Sequence, residues 1–121
     1  MNVEHTKQLI DVGINRDDPI ASLVHILESA TELVALPDND FSWSYWEGSE
    51  EAIAEINSLI DCIKNGSLPE RVNVSVLFAP TGPLQEVSLS SGWAEAFSKV
   101  AEKYDEVEKL LWEIGQQAPC T

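Results

Sequence analysis

Residues 67–91, with the sequence SLPERVNVSVLFAPTGPLQEVSLSS, decide between two fold classes for this chain. Every second residue from 72 to 78 is Val or Phe, the spacing of a half-buried β-strand, and the PTGP run that follows would turn the chain into a hairpin. Ser67 and Glu70 instead have the spacing of a helical capping box. Because an isolated hairpin is only marginally stable, we favour helices here and keep an α+β fold with one hairpin at about 71–90 as the alternative.

The segments on both sides of this stretch carry helical patterns. Asp18 is suited to cap a helix that Pro19 opens, and apolar residues then recur three and four positions apart until Pro37 ends it. A helix capped by Ser49 follows with a stripe of four isoleucines, and residues 4–12 form a weaker candidate. The last helix is the clearest, because one apolar face runs from about residue 92 to about residue 114.

These elements predict a mostly α fold, a single-domain bundle of four to six helices over residues 1–121 with a long C-terminal helix. The chain is long enough to bury a core, and it has neither an internal repeat nor a linker that would divide domains. We expect residues 1–16 to be loosely packed and residues 115–121 to form a flexible tail.

The composition is unusual in its charge. The chain has 21 Asp and Glu against 7 Lys and Arg, which gives a formal net charge of −14 and a pI of about 4.2. Such a chain repels phosphate backbones and anionic lipids, which argues against nucleic-acid and membrane-surface binding. No apolar run approaches the roughly 18 residues of a membrane span, and the first residues lack a signal-peptide pattern. We therefore expect a cytoplasmic protein in which Cys62 and Cys120 form no disulfide.

The acids are concentrated in a part of the chain that also holds an aromatic cluster. The 47 residues from 17 to 63 contain 11 acids and no Lys or Arg, and four of the six residues from 41 to 46 are aromatic. Tyr and Trp are favoured at the centres of protein interfaces, and acidic rims accelerate encounters with basic proteins. We name residues 38–47 the aromatic loop. The predicted partner-binding residues are Asp38, Asp40, Trp43, Tyr45, Trp46, Glu47, Glu50 and Glu51, with the three aromatic side chains as anchors.

The aromatic residues also have a purely structural interpretation. In that case Phe41, Trp43 and Trp46 fill the core between two helices, and the acids around them face solvent. The two interpretations coexist if some rings fix the loop while others point outward. Repulsion among so many acids is expected to raise the pKa values of many of these carboxyl groups, whereas those at helix starts should be lowered.

No catalytic or metal-binding pattern is present in the sequence. It contains no nucleophile motif, no glycine-rich phosphate loop and no metalloprotease motif, so we predict a protein that is not an enzyme and that uses no cofactor. A calcium-loop pattern starts at Asp38, but Trp43 and Ser49 stand where that loop requires Gly and Glu. His25 lies among apolar residues and is better explained as a packed histidine than as a general base.

The run LFAPTGPLQEV at residues 77–87, followed by SSGW at residues 90–93, resembles a pattern in small uncharacterised bacterial proteins. The resemblance covers roughly residues 50–105, and its motif has no known chemistry. It implies a mostly α-helical bacterial domain and no catalytic residues. Some small acidic proteins of this kind are similar to immunity proteins, which are encoded beside secreted toxins.

The function predicted from these observations is that of a non-enzymatic acidic interaction protein, immunity-like, that neutralises a basic, toxin-like protein partner. The alternative is a small-ligand binder or an enzyme, with a pocket near the aromatic loop and the turn between Pro80 and Pro83. A deep apolar pocket with convergent carboxylates would favour the alternative.

Overall fold

Helices are the regular structure throughout the described part of the chain. The computed structural model of the protein describes residues 3–42, 44–80 and 82–113. No β-strand occurs in these residues, so the predicted mostly α fold with a long C-terminal helix is confirmed. The elements are α1 (Glu4–Val12), α2 (Pro19–Val34), α3 (Ser49–Lys64), α4 (Arg71–Phe78), α5 (Pro83–Ser91) and α6 (Ala94–Glu108), which continues as a π-helical segment (Lys109–Glu113).

The stretch at residues 67–91 contains two helices, α4 and α5, and the alternative with a β-hairpin is wrong. The alternating pattern fits a helix because residues four positions apart share a helical face. Val74 and Phe78 are buried in the core, whereas Val72 and Val76 are 63% and 41% exposed. The strand-like alternation is therefore a pair of helical stripes, one facing the core and one facing solvent.

The turn between α4 and α5 depends on Gly82. Its amide donates to the carbonyl of Ala79 at 2.9 Å, and Pro83 then takes the first position of α5. A Cβ atom on Gly82 would overlap the carbonyl oxygen of Val76. Glycine is therefore needed for the close approach of this turn to the end of α4.

The helix starts follow the predicted capping signals only in part. Asp18 caps α2 as predicted, with its Oδ1 atom accepting a first-turn amide at 3.1 Å. Ser49 is not the cap of α3 but its first residue, and Gly48 in an extended conformation takes the cap position. The capping box predicted at the start of α4 does not form either, because Glu70 is itself the extended residue before the helix.

One hydrophobic cluster includes residues from all six helices. α2 and α6 each pack against four other helices, α2 against α1, α3, α5 and α6 and α6 against α1, α2, α4 and α5, whereas α3 packs mainly on α2. Phe78 of α4 stacks on two aromatic rings of α6, with centroid distances of 4.5 Å to Tyr104 and 6.4 Å to Phe97. This packing explains why the C-terminal helix has the clearest apolar face in the sequence.

α1 is fixed to α2 by a carboxylate that caps it from outside. Glu32 of α2 accepts the amides of His5 and Thr6 at 3.0 Å each. The buried Thr6 hydroxyl also lies 2.7 Å from the hydroxyl of Ser29. Because first-turn amides have no partner inside their own helix, Glu32 supplies the cap that the sequence around α1 does not.

Cys62 is disulfide-bonded, contrary to the expectation from the sequence. It is half-buried in the C-terminal half of α3. Cys120, the other cysteine of the chain, lies outside the described residues, as does the whole of the predicted tail at residues 115–121.

Candidate functional site

The aromatic loop connects α2 to α3 and is fixed to the fold by Asn39. The side-chain nitrogen of Asn39 donates to the carbonyls of Leu33 and Val34 at 2.8 and 3.0 Å, at the end of α2. Its side-chain oxygen accepts the indole N–H of Trp93 at 2.8 Å, just before α6. One amide therefore joins the end of one helix to the start of another across 54 positions. Nothing in the local sequence pattern signals the role of Asn39, so it is not among the predicted site residues.

Two aspartates shape the start of the loop. Asp38 has a φ of 68°, in the left-handed region that Asp tolerates better than most residues. Asp40 accepts the amide of Ser42 on its Oδ1 atom at 2.9 Å, and its own amide donates to Ser91 Oγ at 2.8 Å. Hydrogen bonds from the Ser42 side chain and then its amide lower the pKa of the Asp40 carboxyl. The pKa of Asp40 is therefore an exception to the rise expected for many of these carboxyl groups.

Trp46 belongs to the core rather than to the surface. It is 2% exposed, and its indole N–H donates to Glu55 Oε1 at 3.1 Å. A ring buried to this extent contacts no partner unless the core opens, which corrects the prediction of Trp46 as an anchor. Phe41 is half-buried and also packs against the core. The structural interpretation of the aromatic cluster therefore applies to these two rings.

Tyr45 points outward from the same loop, with 55% of the residue exposed. Its hydroxyl donates to Glu55 Oε2 at 2.6 Å, and its ring meets Trp46 edge-on at 5.3 Å. Partial burial, then the hydrogen bond and charge of Glu55, then the charge of Glu51, raise the pKa of Tyr45. Tyr45 thus remains as a candidate anchor, while Trp43 lies outside the described residues.

The predicted steering charges all lie at the surface. Asp38, Asp40, Glu47, Glu50 and Glu51 are exposed. None of these five carboxylates forms an ion pair within the part of the chain that the structure describes. Glu47, Glu50 and Glu51 line an open depression at the start of α3, and Tyr45 and Glu47 line another beside it. We name these five acids, together with Tyr45, the acidic surface.

Within the described residues, Lys and Arg side chains form ion pairs around α6 and not at the acidic surface. Four of them pair with acids of α6, at nitrogen–oxygen distances between 2.7 and 3.9 Å. The pairs are Arg16–Glu106, Arg71–Glu108, Lys99–Glu95 and Lys103–Glu106. Charge around α6 is therefore largely compensated, whereas charge on the acidic surface is not.

The alternative function needs a pocket near both the aromatic loop and the turn between Pro80 and Pro83. These two parts of the chain lie at opposite ends of α5. The aromatic loop contacts Ser91 and Trp93, at the C-terminal end of that helix. The turn between Pro80 and Pro83 lies at its N-terminal end, and the 9 residues of α5 span about 13 Å. A single small pocket between the loop and the turn would have to extend along the whole helix.

Within the described residues, no helix combines the length and the apolar character needed to cross a membrane. In the same residues, no three His, Cys, Asp or Glu side chains come together as possible metal ligands.

The resemblance to small bacterial proteins and to immunity proteins stays a prediction. No family model, no characterised protein and no solved structure matches this chain.

Proposed function

We propose that this chain is a non-enzymatic interaction protein whose acidic surface binds and neutralises a basic protein partner. The observation that carries the proposal is a group of five exposed carboxylates, on the aromatic loop and at the start of α3, without ion pairs in the described residues and with an exposed tyrosine on the same loop. A cytoplasmic bacterial immunity protein that blocks a basic toxin would have a function of this kind.

Unpaired surface charge is the kind of charge that attracts a partner. A carboxylate in an ion pair presents a weaker field to an approaching cation than a free one, and the fields of neighbouring free carboxylates add. Four of the seven cations are engaged at α6, so the acidic surface is a strong source of uncompensated negative potential. Such a field steers basic proteins and speeds their association, most strongly at low salt.

Tyr45 gives the acidic surface an anchor that is ordered before binding. Its hydroxyl is fixed by Glu55 and its ring lies against Trp46, so little side-chain entropy remains to be lost in a complex. An arginine of the partner can stack on this ring while its guanidinium contacts the neighbouring carboxylates. Glu55 therefore acts as a positioning residue, since it holds both Tyr45 and Trp46.

A peptide selection tests the proposal without a known partner. A phage-displayed random peptide library is selected against the wild-type protein, and the enriched peptides are measured against two triple variants. The site variant carries E47Q, E50Q and E51Q, and the control variant carries D11N, D17N and E102Q. Both variants lose three negative charges, and all six residues are exposed.

We expect the wild-type protein to enrich peptides rich in Arg and Lys. The site variant should bind them about tenfold more weakly or worse, whereas the control variant should keep most of the affinity. Tyr45→Ala should weaken binding mainly through faster dissociation, because an anchor acts on the bound complex. Equal losses in the two triple variants would show that net charge alone drives binding, and a defined acidic surface would be refuted.

A further inference from the structure

A cleft of about 250 Å³ lies between α1 and α2, beside the loop that joins them. It shares no residue with the acidic surface. Leu9 in its wall is buried, and Val12 at its edge is 76% exposed, so apolar side chains line the cleft without covering it. The main lining residues are Leu9, Val12, Ile14, Ala21, Ser22 and His25.

The buried polar residue of the wall, Ser22, is already satisfied. Its hydroxyl oxygen accepts the amide of Asn15 at 2.9 Å, and its O–H donates to the carbonyl of Asn15 at 3.2 Å. These two bonds hold the connecting loop against α2. Ser22 therefore closes one side of the cleft and has little capacity left to bind a ligand.

His25 brings a free hydrogen-bond acceptor to the lining. Its Nε2 atom donates to the carbonyl oxygen of His5 at 2.9 Å, and because a carbonyl only accepts, this nitrogen carries the proton of the neutral ring. Nδ1 is then an unprotonated acceptor, open to solvent and without a hydrogen-bond partner among the described residues. The ring of His5 packs edge-on at 4.9 Å and restricts the orientation of the imidazole.

The volume of the cleft limits the size of its ligand. Pockets for drug-sized ligands measure about 300–1,000 Å³, and an engineered apolar cavity of about 150 Å³ holds benzene. A cleft of about 250 Å³ suits one substituted ring. The amide side chains of Gln8 and Asn15 also line the cleft. The free acceptor of His25 beside the apolar side chains matches a ligand with one donor and an otherwise apolar body.

We infer that this cleft binds a small, largely apolar molecule with one hydrogen-bond donor, of the size and chemistry of a phenol. The hydroxyl of the ligand donates to Nδ1 of His25, and its ring lies against Leu9 and Ile14. This site is independent of the proposed protein partner, because it uses other residues on other helices.

Nuclear magnetic resonance titration of the whole chain with phenol tests the site. We expect saturable shifts of the amides of residues 13–15 and 21–25, with a dissociation constant in the millimolar range. Anisole has the same ring without the donor, and it should bind about threefold to tenfold more weakly, the effect of one net hydrogen bond. In His25→Phe the two compounds should bind equally.

Two matched leucine substitutions distinguish phenol binding in the cleft from phenol binding elsewhere on the protein. Ala21→Leu fills the cleft from an exposed position, so the fold should be kept and the phenol shifts lost. Ala54→Leu makes the same change at an exposed position of α3 and should leave phenol binding unchanged. Phenol binding that survives Ala21→Leu, anisole that binds as tightly as phenol, or the absence of any saturable shift would each overturn the inference.

Discussion

Helix α6 and the acidic surface carry the same number of carboxylates and use them in opposite ways. Between Ala94 and Glu108, five acids stand among two lysines, and two arginines from other parts of the chain reach them. The five acids of the acidic surface have no such cations within the described residues. Charge is compensated around α6 and left uncompensated where, in our proposal, a partner binds.

The two tyrosines of the chain extend this comparison, because each donates to a glutamate in one of the two regions. Tyr104 is 2% exposed and donates to Glu108 at 3.0 Å. Tyr45 is 55% exposed and donates to Glu55 at 2.6 Å. Since a hydrogen bond contributes more where water cannot replace it, the longer bond of Tyr104 should stabilise the fold more than the shorter bond of Tyr45.

The largest expected effect separates the two adjacent rings of the aromatic loop. Trp46→Ala should lower the free energy of unfolding by about 3–5 kcal/mol, because it leaves a cavity in the core. Tyr45→Ala should lower it by about 1 kcal/mol or less, because its ring is half in solvent. Urea unfolding followed by circular dichroism measures both. Similar losses for the two variants would place Tyr45 in the core and remove it from the acidic surface.

The next effect concerns the amide that holds the aromatic loop to α6. Asn39→Ala removes three hydrogen bonds and leaves the indole N–H of the buried Trp93 without its acceptor, so it should cost about 2 kcal/mol in the same measurement. Asn57→Ala is the matched control at an exposed position of α3 and should cost about 0.5 kcal/mol or less. Equal effects would mean that the loop does not depend on Asn39.

A smaller effect appears in alkali, where the two tyrosines titrate. Burial is the main cause that raises the pKa of both Tyr45 and Tyr104 above the ordinary value of about 10. The folded state then keeps protons that the unfolded state loses, so the free energy of unfolding is unaffected at neutral pH and falls as the pH rises past about 10. Unfolding measured at increasing pH should show this fall.

Tyr→Phe substitutions show how much each tyrosine contributes to the fall in the free energy of unfolding at high pH. Tyr104→Phe should remove more of the fall than Tyr45→Phe, and should cost about 1 kcal/mol at neutral pH because the buried bond to Glu108 is lost. A pH profile that responds equally to both substitutions would contradict the difference in burial.

The smallest expected effect comes from neutralising one acid in each region, which should change the stability of the fold in opposite directions. Partial burial, followed by the charge of Glu108, raises the pKa of Asp105, so its ionised form destabilises the fold at neutral pH. Asp105→Asn should therefore stabilise by about 0.5 kcal/mol or less, and the gain should vanish below the unfolded pKa of about 3.9. The pKa of Asp40 is lowered instead, so Asp40→Asn should destabilise at neutral pH and lose its effect in acid. Thermal unfolding at several pH values distinguishes the signs.

The helical fold is predictable because its main signals are local. Asp18 followed by Pro19 marks a helix start, and the apolar face of α6 is continuous over many turns. The alternation at residues 72–78 is ambiguous on its own, since a period of two also places every fourth residue on one helical face. The choice of helix there depends on the helical character of the rest of the chain.

The sequence predicts which residues make up the candidate site, but it does not predict which of their side chains face solvent and which face the core. Tyr45 and Trp46 are adjacent and chemically similar, yet one faces solvent and the other fills the core, because a loop has no period that assigns its residues to faces. Asn39 and Glu32 are missed for another reason. Their partners lie 54 and 26 positions away, and such contacts have no signature in the local sequence.

The hydrogen bond between Asn39 and Trp93 imposes an order on how the acidic surface is assembled during folding. Because its ends are 54 positions apart, the intervening chain must become compact before the bond closes. During synthesis, the aromatic loop emerges well before Trp93 and lacks this support until α6 begins to form. In our proposal, a partner that recognises the acidic surface would thereby distinguish finished molecules from nascent or truncated chains, which carry the same acids without their arrangement.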